Sequence, residues 1–270
     1  MAIVKIGIVG AAGRMGKMLI EEVGATSGAT LAAASERAGH DAVGQDAGSF
    51  AGLKAIGVKI GAAPEDVFKA SDVVIDFTVP KATLAHVEFA AAGKKGLVIG
   101  TTGIEAEDAK KIHAAGRAAH IVWAPNMSLG VNLLMALTER VAKALGPDFD
   151  IEILEMHHKH KVDAPSGTAL GLGQAAAKGR GVELAKVAAR GRDGITGARK
   201  AGAIGFASLR GGDVVGDHYV MFAGEGERLE LVHKASSRRI YSKGALRAAL
   251  WVAGKGPGVY DMADVLGLKG

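Results

Sequence analysis

Residues 3–16 read Ile3-Val4-Lys5-Ile6-Gly7-Ile8-Val9-Gly10-Ala11-Ala12-Gly13-Arg14-Met15-Gly16, and Lys17 to Val23 continue with helical spacing. A short β-branched run that enters glycines spaced three apart and then a helix is a variant of the dinucleotide-binding fingerprint. Gly10 turns the chain after the strand, Gly13 lets backbone approach a pyrophosphate, and Gly16 lets the helix pack closely. The helix N-terminus then offers N–H groups and the positive end of its dipole to phosphate. Glu36 follows Gly16 by twenty positions, just past the next apolar run, where a carboxylate bonds the adenine ribose hydroxyls. Arg37 stands beside it and suits a 2′-phosphate, so the pair points to dual use of NADH and NADPH. The plainer alternative is a glycine-rich structural turn next to a solvated Glu-Arg pair.

Outward from this stretch, apolar runs recur at Thr30 to Ala34, Val73 to Phe77, Leu97 to Gly100 and Ile121 to Trp123. Ala-rich helical stretches such as Lys81 to Ala92 and Glu105 to Ala118 lie between them. Short buried strands alternating with helices predict βαβ units and a parallel sheet. The segments Asp76-Phe77-Thr78-Val79-Pro80, Gly100-Thr101-Thr102-Gly103 and Ala124-Pro125-Asn126-Met127 follow three of these strands. Ligands of open α/β sheets bind beyond the carboxyl ends of the strands, so Thr78, Thr101, Thr102 and Asn126 are candidates to line a nicotinamide site. Each also suits an ordinary cap or turn.

The pattern changes near Asn126. A helix is predicted over Leu129 to Leu145, stopped by Gly146-Pro147, with a strand at Ile151 to Met156. Ala203 to Leu209, Val214 to Phe222 and Arg228 to His233 read as three strands. Gly211-Gly212-Asp213 and Gly224-Glu225-Gly226-Glu227 read as their turns, which predicts an antiparallel meander in a second domain. A last helix over Ser242 to Ala253 is expected to pack back on the first domain.

The bulk composition narrows the function. A chain of 270 residues fits two modest domains, and 49% hydrophobic with only 4% aromatic residues suits a sheet core of Ala, Val, Ile and Leu. There is no cysteine, which excludes disulfides, thiolate nucleophiles and Cys-ligated zinc, and with them an acylating semialdehyde dehydrogenase. The N-terminal apolar run is too short to span a membrane and lacks a signal-peptide layout, so a soluble cytoplasmic protein is expected. The net charge of +5 favours anionic ligands. No zinc-finger pattern or aromatic-rich basic segment supports nucleic acid, and a dinucleotide with a dicarboxylate explains the sign equally well.

The stretch with most chemistry is Glu155-Met156-His157-His158-Lys159-His160-Lys161-Val162-Asp163-Ala164-Pro165-Ser166-Gly167-Thr168-Ala169. Five basic or titratable side chains occupy five successive positions, and their mutual repulsion is expected to depress individual pKa values. Groups brought toward neutrality in this way donate and accept protons near pH 7. Ser166, Gly167 and Thr168, at the start of an Ala-rich helix, look like a cradle for a carboxylate. Three readings compete here. One is a metal site of His157, His158 and His160, whose spacing matches no common zinc motif. Another is a solvated basic loop. The preferred reading is an active-site loop that binds an anionic substrate and supplies a proton.

At these residues the chain resembles the dihydrodipicolinate reductase family. The resemblance covers nearly the whole sequence, through GAAGRMG, DFTVP, VIGTTG, WAPNMSLGVN, EMHHKHKVDAPSGTA, GFASLRGGDVVGDH and HKASSRR. It implies an NADH- or NADPH-dependent reduction of 4-hydroxy-tetrahydrodipicolinate, with loss of water, to tetrahydrodipicolinate in lysine and diaminopimelate synthesis. It also implies that His157 is the general acid/base, Lys161 the proton donor and His158 a substrate contact, with Gly167 and Thr168 holding a substrate carboxylate. Ser166 and Thr102 join the substrate side. On the cofactor side the resemblance implies Gly10, Ala11, Ala12, Gly13, Arg14 and Met15, the Glu36-Arg37 pair, Gly100, Thr101 and Thr102, and Ala124, Pro125, Asn126 and Met127. Ala12 and Pro125 depart from the family pattern inside otherwise matching loops. No metal, nucleic acid or membrane partner is implied, and a homotetramer is. The expected fold is α/β. A Rossmann-type parallel-sheet domain of residues 1–128 with 240–270 would bind the dinucleotide. An inserted α+β domain of residues 129–239, with a mixed or antiparallel sheet, would bind substrate and form the oligomer. The rival from another class is a non-catalytic dinucleotide-sensing regulator, in which His157 and Lys161 would tolerate replacement.

Overall fold

The computed structural model describes residues 2–269. In chain order it opens with β1 (Val4–Val9), α1 (Arg14–Ala25), β2 (Ala29–Ser35), α2 (Ala47–Phe50), β3 (Ile60–Gly61) and α3 (Pro64–Ala70). Then come β4 (Val73–Asp76), α4 (Pro80–Gly93), β5 (Gly96–Ile99), α5 (Ala106–Ala115), β6 (His120–Trp123) and α6 (Leu129–Leu145). The middle of the chain forms β7 (Asp150–His157), α7 (Gly167–Gly179), α8 (Leu184–Val187), β8 (Ala188–Arg190), β9 (Ile204–Arg210), β10 (Gly216–Ala223) and β11 (Arg228–Ala235). It closes with α9 (Arg239–Val252), β12 (Gly258–Tyr260) and α10 (Met262–Val265). Two compact units result. One runs to Leu129 and resumes at Arg239, and the other spans Gly130–Arg238.

The first unit is a seven-stranded sheet in the order β12-β6-β5-β4-β1-β2-β3, with every neighbouring pair parallel. Its central strands are apolar at successive positions because both faces are covered. Ile6, Ile8, Val73, Ile75, Val98 and Val122 pack with α1 and α9, through Leu19, Ile20, Val23, Ala245, Leu246 and Ala249. Val9, Val74, Leu97, Ile99 and Ile121 pack on the other side with α3, α4 and α5, through Phe68, Val87 and Ile112. Strand order reverses between β1 and β4, so the crevice beyond their carboxyl ends is the topological switch point where such sheets take ligands.

The second unit is a mixed five-stranded sheet in the order β11-β10-β7-β9-β8. On β7 and β10 every second residue is buried. Ile151, Ile153, Val220 and Phe222 face Leu134 and Ala142 of α6 and Leu172 and Ala176 of α7. Here the structure corrects the antiparallel meander. Only β10 and β11 form an antiparallel hairpin. β7 lies between β9 and β10, parallel to the first and antiparallel to the second. Gly211-Gly212-Asp213 therefore does not close a hairpin but carries the chain across the end of β7. Gly211 N–H donates to His157 O (3.0 Å), Lys159 N–H to Gly212 O (3.2 Å) and His158 N–H to Val214 O (2.7 Å). Pairing with a strand more than fifty residues upstream leaves no local sequence signal. The short strands β3, β8 and β12 also escape periodicity, having two or three residues each.

Candidate active site

The glycine loop is built as its spacing requires. Gly10 sits at φ +70°, and a Cβ there would also lie 2.8 Å from Thr78 Cγ2. A Cβ on Gly16 would stand 2.3 Å from the Gly10 carbonyl oxygen and 2.5 Å from that of Ala11, so α1 starts tight against the loop backbone. No side chain caps α1, whose N-cap is Gly13. Its first-turn N–H groups thus carry no capping oxygen, which fits a pyrophosphate in that role. Glu36 follows β2, and its Oε2 accepts the Ala12 N–H at 3.1 Å while Oε1 accepts the Arg37 N–H at 2.9 Å. The carboxylate predicted to bind ribose is thereby fastened beside the loop. Arg14 and Arg37 are exposed, Ala11 is buried, and Ala12 and Met15 are half-buried.

The neighbouring strand ends are joined by a buried polar network that sequence reasoning did not anticipate. Asp76, at the end of β4, faces His86 Nδ1 with Oδ2 at 2.8 Å. Its Oδ1 accepts the Thr78 N–H at 2.8 Å and the Thr78 hydroxyl at 2.6 Å. Thr101 Oγ1 lies 3.3 Å from the same oxygen and accepts the Thr83 hydroxyl at 2.9 Å. Burial opposes ionisation of Asp76 most strongly, but His86 and Thr78 outweigh it and hold the carboxyl below its ordinary pKa. Thr101 thus turns its hydroxyl inward, whereas Thr102 is exposed. Gly100 leaves room for Phe77, whose ring would lie 2.3 Å from a Cβ. In the next loop Asn126 Oδ1 accepts the Ser128 N–H at 2.8 Å. Ala124 and Met127 are buried in the core, while Pro125 is exposed. Met127 packs inward, and its carbonyl oxygen lies where a Cβ on Gly244 of α9 would fall, so neither its side chain nor that carbonyl faces solvent.

The second cluster lies at the end of β7. Glu155 and His157 are two residues apart on one strand and share its helix-facing side. Glu155 is 0% exposed and His157 8%. His157 Nδ1 faces Glu155 Oε2 at 2.5 Å. Arg210, at the end of β9, grips both carboxylate oxygens, at 2.9 and 2.8 Å. The Ser166 N–H adds a contact to Oε1 at 3.2 Å. Burial raises the Glu155 pKa, yet hydrogen bonds from Arg210, His157 and Ser208 prevail and push it down to about 2. His218 of β10 stands edge-on to His157, ring centroids 5.1 Å apart. Burial, followed by the charge of His157, pushes His218 down to about 4. A Cβ on Gly216 would fall 2.9 Å from His157 Nε2, so that position must be bare for the ring to sit as it does.

The basic segment follows. Lys161 Nζ pairs with Asp163 at 2.8 Å. His158, Lys159, His160, Gly212, Asp213 and Arg238 line a cavity of about 570 Å³ within the second unit. The His158 pKa is lowered as expected for the segment, although partial burial is the larger cause, and Arg238 leads the repelling charges, ahead of His160, His157 and Lys161. Among the described residues His158 Nδ1 is buried without a hydrogen-bond partner. The Ser166 hydroxyl caps α7 by accepting the Ala169 N–H at 3.1 Å, and it touches His218 Nε2 at 3.2 Å. Gly167 opens α7 and is exposed, with no atom within 4 Å of where its Cβ would be. Thr168 is the next helical residue.

Glu155, Arg210 and His218 were missed because they meet only in the folded sheet. Glu155 alone left a signal, an acid two places before a histidine on a strand. The family model described as dihydrodipicolinate reductase, N-terminus, matches residues 4–127, and the one described as dihydrodipicolinate reductase, C-terminus, matches 130–266. A 4-hydroxy-tetrahydrodipicolinate reductase of Dinoroseobacter shibae is 58% identical over 97% of both chains. One from Rhizobium rhizogenes is 56% identical over 98% of this chain and 97% of its own. The solved structure of a dipicolinate-bound dihydrodipicolinate reductase from Paenisporosarcina sp. TG-14 superposes with a TM-score of 0.79 at 25% identity, covering 98% of this chain and 99% of that one. The chain belongs to the dihydrodipicolinate reductase family.

Proposed function

We propose that this chain reduces 4-hydroxy-tetrahydrodipicolinate, with loss of water, to tetrahydrodipicolinate, in lysine and diaminopimelate synthesis. The observation that carries the reading is the buried Glu155–His157 contact at 2.5 Å, with His158, His160 and Lys161 following directly in the chain. A reduced nicotinamide dinucleotide, NADH or NADPH, supplies the hydride when bound. The residue 10–16 loop and the start of α1 hold its pyrophosphate, and Glu36 with Arg37 holds its adenine ribose. Gly100 to Thr102 and Ala124 to Met127 form the remainder of the cofactor surface. In the second unit His158 and the start of α7, at Gly167 and Thr168, bind the dicarboxylate. As hydride reaches a ring carbon conjugated to the imine, negative charge builds toward the ring nitrogen. The Lys161 ammonium stabilises that charge and donates the proton. With Nδ1 turned to Glu155, His157 uses Nε2 as its general acid/base nitrogen.

The assembly belongs to the same proposal. Across the sheet from α6 and α7, the second face carries Leu154, Met156, Tyr219 and Met221, all half-buried, with Leu209 48% and Val232 44% exposed. A sheet face of this kind suits packing against further copies, and we assign it to a homotetramer. No helix among the described residues is long and apolar enough to cross a membrane. A reductase drawing on the nicotinamide pool for amino-acid synthesis is placed in the cytoplasm. The test is an absorbance assay at the nicotinamide band, coupled to the synthase that makes the substrate and run with each cofactor. Oxidation of at least one cofactor, dependent on that substrate, is expected. Oxidation of neither overturns the reading.

A further inference from the structure

We propose that Glu155 and Arg210 are a positioning pair that fixes the tautomer and ring orientation of His157 and anchors both ends of the basic loop. The proposal rests on His157 being the general acid/base. Three features of the geometry carry it.

The first is how the carboxylate is engaged. Glu155 is fully buried and each oxygen is doubly used. Oε2 faces His157 Nδ1 and Arg210 Nη1, and Oε1 faces Arg210 Nη2 and the Ser166 N–H. A carboxylate so solvated stays ionised through the working pH range, in keeping with its pKa of about 2. An ionised carboxylate only accepts hydrogen bonds. The imidazole nitrogen against it must therefore carry hydrogen, which leaves Nε2 as the nitrogen that exchanges a proton.

The second feature is the reach of Arg210. Besides the two carboxylate oxygens it donates to the Asp163 carbonyl at 2.6 Å. Asp163 is the residue that pairs with Lys161, so one guanidinium ties the histidine's partner to the backbone beneath the lysine's partner. The Ser166 N–H, on the same carboxylate, fixes the far end of the loop where α7 begins. The third feature is the cost of the arrangement. A buried ion pair is commonly no more stabilising than apolar residues of the same volume. Three polar groups at this point of the sheet are thus explained by what they orient rather than by stability.

The experiment replaces Glu155→Gln and Glu155→Asp. In the Gln variant the amide can donate to Nδ1, so the ring is free to take the other tautomer. Turnover is expected to fall about 10²-fold or more, as when the orienting acid of a catalytic histidine is neutralised, while the KM for the nicotinamide cofactor changes less than about twofold. Glu155→Asp, which keeps the charge, is expected to recover most of that loss. Nitrogen NMR of histidine-labelled protein, with His157 assigned through His157→Gln, is expected to show a hydrogen on Nδ1 in the native chain and in the Asp variant, and a mixture in the Gln variant. If Glu155→Gln fails to fold by circular dichroism, Glu155→Gln combined with Arg210→Met removes the uncompensated charge and is read in the same way. Two failures are distinguishable. Unchanged turnover in His157→Gln overturns the general acid/base role itself. A large loss in His157→Gln with native turnover and a native tautomer in the Glu155→Gln variant overturns the positioning role alone.

Discussion

Lys161 stands out at the level of single residues. Its ammonium is held 2.8 Å from Asp163, so the charge is placed rather than free in solvent. Lys161→Ala should lower turnover by about 10²–10⁴-fold, the usual contribution of a positioned acid. Cofactor affinity, measured by fluorescence titration, should stay the same, and near-native turnover would refute the assigned role. Two large pKa displacements also predict an acid response. His218 titrates at about 4 in the fold against 6.5 when unfolded. Between those values the unfolded chain binds the extra proton, so stability is complete above pH 6.5 and is lost progressively as pH falls from there to about 4. Glu155, depressed from 4.5 to about 2, adds a loss in the same direction at lower pH. Urea midpoints measured from pH 7 down to 4 should therefore fall steadily, and His218→Gln should flatten the upper part of that fall. A midpoint that holds constant over the range would show that His218 is not buried neutral. Most of the individual assignments could be read from the segment 155–169, because the chemistry there is consecutive in sequence. Arg210, His218 and Arg238 could not, since strand pairing and chain reversal deliver them from far along the chain.

Among the secondary-structure elements, β1 and α1 show how closely spacing and geometry agree. Gly16 is set 2.3 Å from a backbone carbonyl by the measure of a missing Cβ, and backbone cannot swing away as a side chain can. Gly16→Ala should push α1 off the loop and weaken cofactor binding at least tenfold, a change of about 1.4 kcal/mol. The substrate-side unit should keep its structure. Isothermal titration against NADH and NADPH checks this, and unaltered affinity would mean that the loop holds no phosphate. The five longer parallel strands were legible because each is a short apolar run set between helical stretches. Helix α6 was legible to the residue, from Leu129 to the Gly146-Pro147 stop. The order of strands in the second sheet was not. Its central strand β7 is parallel to one neighbour and antiparallel to the other, and alternation reports only which side of a strand is wet. The Asp76–His86 network was equally hidden, because an acid at a strand end and a histidine inside a helix look ordinary apart.

For the whole molecule, the open face of the five-stranded sheet makes the assembly a test of its own. Analytical ultracentrifugation should give a mass of about four chains, and Val232→Glu with Leu209→Lys should reduce it by placing charges against apolar neighbours. A native chain that sediments as a monomer at assay concentration would remove the homotetramer from the proposal. The βαβ rhythm of the sequence stops near Asn126, close to where the first compact unit breaks off at Leu129.

That return has a temporal side. The sheet face that α9 covers with Ala245, Leu246, Ala249 and Val252 is already laid down by strands made early in synthesis. While the ribosome is adding the residues of the inserted unit, Ile6, Ile8, Val73, Ile75 and Val98 have no α9 to shield them. The inserted unit can finish its own core first, since all its strands lie between Asp150 and Ala235. A nascent chain halted before Arg239 should therefore be a chaperone client and a protease target, and should become resistant only once its last turns have emerged from the exit tunnel.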